Sequence, residues 1–216
     1  ELLFERLQIE QLSPSSKEQS TDIVLIVGAA GGVGSILVQL ANVLTGATVI
    51  ATASRESSAE WVKKLGADYV IDHTKPLMAQ IEQLNIGQVT HVASLTHTDS
   101  YMDSYVELLA PMGRIALIDD PKSIDISKLK LKSLSLHWEF MFTRSMFKTI
   151  DMSEQHKLLN KVADLIDQDF IKTTVGQNLG TINAKNLRIA HEKIESGKSI
   201  GTVTYKHLTL PTKRKV

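Results

Sequence analysis

The sequence predicts an α/β fold built on a doubly wound parallel sheet, and two observations lead there. Short β-compatible runs recur at 23–27, 48–51, 69–71, 89–93 and 114–118, with segments of helical periodicity between them. The first run, Ile-Val-Leu-Ile-Val, is apolar at every position. That is the mark of a strand buried on both faces, which requires helices on both sides of a parallel sheet. Short connections and right-handed crossovers then leave few topologies besides the doubly wound one.

Residues 1–7 read as an amphipathic helix with Leu3, Phe4 and Leu7 on one face. With no initiator Met and no cap before it, this start is expected to belong to a longer chain. Residues 13–22, rich in Ser, Thr and charge, form the loop into the first strand. A helix follows at 35–44, with Ile36, Leu37, Leu40 and Val43 as its apolar face. The second strand, 48–51, precedes a helix at 57–65 that stops at Gly66, a residue suited to a left-handed cap. Strand 69–71, helix 77–84, strand 89–93, helix 101–109 and strand 114–118 continue the alternation. Beyond Asp120 the rhythm changes. Residues 131–142 alternate loosely and suit a strand at the sheet edge, helices are expected at 151–167 and 183–195, and a returning strand at 201–205. One domain over 1–206 is expected, with 207–216 a basic tail, disordered or vector-derived.

Composition removes several function classes. Lys plus Arg and Asp plus Glu are 24 each, so no global charge draws in nucleic acid or an anionic membrane. The hydrophobic fraction of 43% is that of an ordinary globular protein, and no apolar run is long enough to span a bilayer. There are no cysteines, which removes disulfides, thiolate chemistry and every zinc site that needs a Cys ligand from these residues. Without a secretion signal, a cytoplasmic location is expected. The histidines show no ligand spacing, and no metal residue is assigned.

The informative segment is Gly28-Ala29-Ala30-Gly31-Gly32-Val33-Gly34, between a buried strand and a helix. This is the context of a dinucleotide fingerprint. Gly31 lets backbone approach a pyrophosphate, Gly34 lets the helix pack closely on the strand, and the amides of Gly32 and Val33 point at a phosphate. The alternative is a purely structural tight turn. A domain that binds NAD places an acid about 20 residues on, at the end of the second strand. Here that position is Ala53, followed by Ser54 and Arg55. A carboxylate repels a 2′-phosphate, whereas a hydroxyl and a guanidinium donate to it, so NADP(H) is the expected coenzyme. Arg55 as a plain surface residue is the alternative. The missing acid also argues against an adenosylmethionine-dependent methyltransferase, the missing Gly-Lys-Ser/Thr against a phosphate-loop nucleotidase, and the missing Tyr-x-x-x-Lys against a short-chain dehydrogenase.

Phe4-Glu5-Arg6-Leu7, the Ala29–Gly34 loop, the 64–72 run Lys-Leu-Gly-Ala-Asp-Tyr-Val-Ile-Asp, Ala190-His191, Gly197 and Ile200-Gly201 together resemble the medium-chain dehydrogenase/reductase superfamily. Within it the chain is similar to the quinone oxidoreductase branch. Lys132-Ser133-Leu134-Ser135 and the 139–144 run Glu-Phe-Met-Phe-Thr-Arg resemble a bacterial subgroup labelled zinc-type alcohol dehydrogenase-like. The resemblance implies a Rossmann-fold coenzyme domain, with most of an N-terminal GroES-like catalytic domain outside this chain. It implies zinc-free hydride transfer from NADP(H) to a quinone, enone or related carbonyl compound in a cleft between the two domains. Position by position it implies that His73 approaches the 2′-phosphate, that Leu95 and Thr96 lie near the nicotinamide ribose, and that Met141 and Phe142 flank the nicotinamide. It also implies a homodimer paired through edge 131–142. Surface, core or interface roles remain the alternatives for His73, Met141 and Phe142. No catalytic residue is assigned, and the chain alone is expected to bind coenzyme without turning it over. The competing functions are a non-catalytic nucleotide-binding module, redox-sensing or structural, and a zinc-dependent alcohol dehydrogenase whose ligands lie elsewhere.

Overall fold

The computed structural model describes residues 2–14, 16 and 18–206. Helix α1 (Leu2–Leu7) precedes β1 (Ile23–Val27), α2 (Gly32–Leu44), β2 (Thr48–Thr52), α3 (Glu56–Lys64) and β3 (Tyr69–Ile71). Then come α4 (Leu77–Leu84), β4 (Val89–Ser94), α5 (Thr98–Leu108) and β5 (Leu109–Leu117). A 3-10 segment (Ile126–Lys132) leads into β6 (Ser135–Trp138), α6 (Thr143–Met146), α7 (Glu154–Asp167), β7 (Val175–Thr181), α8 (Ala184–Glu195) and β8 (Thr202–Lys206). The main sheet has six parallel strands in the order β3-β2-β1-β4-β5-β6, which is the doubly wound arrangement.

β1 shows why the sequence demands this. All five of its residues are buried, and strand periodicity divides them between two cores. Val24 and Ile26 join Leu3, Phe4, Leu7, Leu37 and Val62 on one face. Leu25 and Val27 join Ile50, Met102, Tyr105 and Leu108 on the other. Each such aliphatic side chain contributes roughly 1.5–3 kcal/mol on burial. The apolar stripe of α1 is covered as expected, with Phe4 and Leu7 fully buried. Ion pairs add to that docking: Arg6 Nε donates to the buried Glu139 carboxylate at 2.6 Å, and Arg144 bridges Glu5 and Asp151.

Several boundaries differ from the sequence reading. Helix α2 begins at Gly32 rather than 35, inside the glycine loop itself. Helix α5 begins at Thr98 rather than 101, because the Asp119 carboxylate accepts from the Thr98 amide at 2.9 Å and caps the helix from across the chain. The expected edge strand contracts to β6, which pairs Arg114↔Ser135 through Leu117↔Trp138, after the 3-10 segment. The returning strand is present, but it pairs in parallel with the unexpected β7 in a separate two-stranded sheet. The basic tail 207–216 lies outside the described residues.

Candidate functional site

A cleft of about 810 Å³ opens at the carboxyl ends of β1 and β4, where the strand order reverses. In doubly wound sheets this switch point is where ligands bind, because the loops from the two strands diverge to opposite faces. One wall is the glycine loop and the start of α2. The others come from the segment after β2, the segment after β4, and the turn 197–199 between α8 and β8.

Two glycines in the loop do different things. A Cβ on Gly34 would overlap the Gly28 carbonyl oxygen and the Ala29 backbone, so only glycine lets α2 sit this close to β1. A Cβ on Gly31 would meet nothing nearer than the Gly28 oxygen at 3.5 Å, and the space it would enter belongs to the cleft. The Gly31 carbonyl accepts from Ser35 N at 2.8 Å, which starts the helix. Helix geometry leaves the amides of Gly32, Val33 and Gly34 without an intrahelical acceptor. No acid occupies the first turn of α2, so nothing there competes with an external anion for the positive end of the helix dipole.

The second wall is tied to the first. Thr52 Oγ1, at the end of β2, accepts from the Gly28 amide at 3.2 Å and so fixes where the loop begins. Ala53 is buried, and Ser54 and Arg55 follow on the cleft side. Arg55 reaches across to the third wall, where its Nη1 donates to the Lys198 carbonyl at 2.9 Å. The lining holds Arg55, Lys198, His73 and His97, and neither Asp nor Glu is among its residues. Such a cleft suits a ligand with several negative charges.

The β4 wall rests on a buried polar network. Leu95 N donates to Val27 O at 3.2 Å, and Thr96 Cγ2 packs where a Gly28 side chain would be. Below them Ser94 Oγ bonds Thr98 Oγ1 (2.7 Å) and Tyr105 OH (2.8 Å), while Thr98 also bonds Asp119. Burial pushes the Tyr105 phenol well above its ordinary range, so it stays neutral and serves as a packed hydrogen-bonding group. This network holds Leu95, Thr96 and His97 in place, with His97 in the left-handed region at φ 53°.

Of the expected site residues, Gly31, Gly32, Val33, Gly34, Ser54, Arg55, His73, Leu95 and Thr96 all line the cleft. Met141 and Phe142 do not. They are exposed between β6 and α6, with Phe142 packed edge-on against Phe140 at 5.5 Å between ring centres. Sequence reasoning passed over Thr52, the Asp119–Thr98 cap and the 197–199 turn. A hydroxyl at the end of the second strand was a usable signal for Thr52, whereas the turn has no local signature. Among the described residues, no group of three or more His, Cys, Asp or Glu is placed to hold a metal ion.

A family model described as zinc-binding dehydrogenase matches residues 32–157, from the first amide of the cradle to the first turn of α7. The chain belongs to the zinc-binding dehydrogenase family. It is a coenzyme-binding, Rossmann-like domain of the medium-chain dehydrogenases/reductases. A zinc-type alcohol dehydrogenase-like protein of Staphylococcus aureus (strain MSSA476), SAS2087, is 36% identical over 192 residues, covering 88% of this chain and 57% of that protein. A crystal structure from Rhizobium etli CFN 42, described as a candidate zinc-dependent alcohol dehydrogenase, superposes with a TM-score of 0.87 at 48% identity, covering 96% of this chain and 59% of that one. Mycobacterial Rv1454c, solved in complex with NADPH, superposes with a TM-score of 0.72 at 27% identity, covering 87% of this chain and 57% of that one. The chain thus spans less than two thirds of the length of these family members. Its described residues fit the dinucleotide that such oxidoreductases use: a glycine cradle with room at Gly31, free helix amides and an acid-free basic cleft.

Proposed function

We propose that the chain is the NADP(H)-binding domain of a zinc-independent, cytoplasmic oxidoreductase that passes hydride to a quinone, enone or related carbonyl compound. The carrying observation is the wall after β2. Ala53 stands where a carboxylate would grip a ribose 2′-hydroxyl, Ser54 and Arg55 follow it into the cleft, and no acid lines the cleft among the described residues. The bound coenzyme supplies the hydride. The α2 amides take its pyrophosphate, Ser54, Arg55 and His73 surround its 2′-phosphate, and Leu95 and Thr96 bound its nicotinamide-side ribose. Met141 and Phe142 flank the nicotinamide once the rest of the protein is in place. The Rv1454c complex with NADPH supports the coenzyme choice, and the Ala-Ala-Gly-Gly loop supports the zinc-free quinone oxidoreductase branch. The exposed Trp138 at the end of β6, the outermost strand, and the exposed Phe140, Met141 and Phe142 just beyond it support a homodimer joined there. The chain alone binds coenzyme without turnover, since the residues that choose the substrate lie in the part of the relatives it does not span.

Calorimetric titration of the chain with NADPH and NADH, beside an Arg55→Ala variant, tests the coenzyme reading. The expected result is tighter NADPH binding that the variant loses. Equal affinity for both coenzymes, or a preference for NADH, refutes it. Full-length protein that binds NADPH yet reduces no quinone or enone would favour a non-catalytic nucleotide-binding module.

A further inference from the structure

The turn between α8 and β8 is held against the cleft from several directions. Arg55 Nη1 donates to the Lys198 carbonyl, Gly201 N donates to Ala30 O in the glycine loop at 2.8 Å, and Ser196 Oγ accepts from Lys198 N at 3.2 Å. Thr202 Oγ1 sits 3.2 Å from where a Gly32 side chain would begin. The turn is therefore a wall of the site, and it carries an exposed lysine. Among the described residues, neither Lys198 nor Arg55 takes part in any of the ion pairs. Two cations thus face one acid-free cleft, and a hydrogen bond from the Arg55 side chain to the Lys198 backbone carbonyl joins the segments that carry them.

Resting on the NADP(H) reading, we propose that Lys198 is a coenzyme-binding residue that shares the 2′-phosphate with Arg55 and helps select NADP(H) over NAD(H). A phosphate monoester carries close to two negative charges at neutral pH, more than one guanidinium neutralises. Arg55 spends one Nη1 hydrogen on the Lys198 carbonyl, which leaves its other donors for the phosphate and holds the lysine beside it. The two cations act as a unit: removing the Arg55 side chain also frees the turn that positions Lys198.

The test is calorimetric titration of the intact chain with adenosine 2′,5′-bisphosphate and with 5′-ADP, at two salt concentrations. Lys198→Gln is expected to weaken the bisphosphate about three- to tenfold, to leave 5′-ADP unchanged and to flatten the salt dependence, while Lys198→Arg restores binding. Arg55→Ala with Lys198→Gln is expected to lose less than the product of the single losses. Equal weakening of both ligands, or no weakening of either, overturns the assignment of Lys198 while a wild-type preference for the bisphosphate keeps the NADP(H) reading intact. A wild-type chain without that preference overturns both.

Discussion

Two glycines three residues apart are expected to fail in opposite ways when each is changed to alanine. At Gly34 the added methyl group would overlap the carbonyl oxygens of Gly28 and Ala29 and the Ala29 Cα, none of which can swing aside like a flexible side chain. Helix α2 would have to lift from β1, and overpacking of this kind costs about 1–3 kcal/mol, with backbone obstruction at the upper end. At Gly31 the backbone has φ −74°, which alanine adopts freely, and the nearest atom is 3.5 Å away. The entropy gain of about 0.4–1 kcal/mol from restricting the unfolded chain offsets a loss of similar size from placing alanine at the N-cap. Its stability is therefore expected to stay within about 1 kcal/mol of wild type. Binding behaves differently, because the Gly31 methyl group enters the space a pyrophosphate needs to reach the α2 amides. Losing even one such charge-assisted bond, at about 1.5–3 kcal/mol, weakens NADPH roughly 10- to 150-fold. Urea denaturation and calorimetry on the two variants separate the effects. A Gly34→Ala protein as stable as wild type would refute the close packing of α2 on β1, and a Gly31→Ala protein that binds NADPH normally would show that the loop is a turn and not a cradle.

Arg6→Ala is expected to destabilise the chain by about 3 kcal/mol in urea, because it strands the Glu139 carboxylate, whose side chain is only 7% exposed, without its partner. Glu139→Gln removes the stranded charge and should cost less. Stability should also fall in mild acid. Burial and Arg114 hold the His91 imidazole below its ordinary value of 6.5, against the pull of Asp22, and burial with Arg114 and Arg6 does the same to His137. The unfolded chain therefore takes up protons first as pH drops. Stability is full above pH 6.5 and declines below it, by at most about 1.4 kcal/mol per pH unit for each histidine, until the folded imidazoles protonate. Denaturation curves across this range should flatten in a His91→Asn, His137→Asn double variant, and an unchanged slope would refute the assignment. Finally, Phe140→Asp with Phe142→Asp should convert a sedimenting dimer of this 23.9 kDa chain to monomer. A wild-type monomer would refute pairing through β6.

Most of the sheet was legible because its strands are written in residues whose burial does not depend on distant context. The unbroken apolar run of β1 can be covered only by helices on both sides, and Gly66 takes the expected positive φ of 104°. What stayed hidden is set by distant partners. β7 reads Val-Gly-Gln-Asn-Leu-Gly-Thr, with two glycines, two amides and a mostly exposed surface, and β8 alone makes it a strand. The Lys-Leu-Lys-Leu-Lys run at 128–132 alternates as a strand would, yet it coils because Asp125 caps the Ser127 amide. The early start of α5 depends on Asp119, 21 residues away. In the site, the cradle and the β2 arm were readable because spacing along the chain fixes both. Lys198 was not, since 143 residues separate it from Arg55.

That separation has a kinetic meaning. The bond from Gly28 to Thr52 closes a loop of 24 residues, and the bond from Arg55 to Lys198 closes one of 143. By the logarithmic cost of loop closure, the second is harder to form from an open chain by about 1.6 kcal/mol. On the proposed reading of the site, the cradle is therefore expected to assemble while the 197–199 turn is still searching, with affinity for a bare pyrophosphate acquired during folding before preference for one coenzyme.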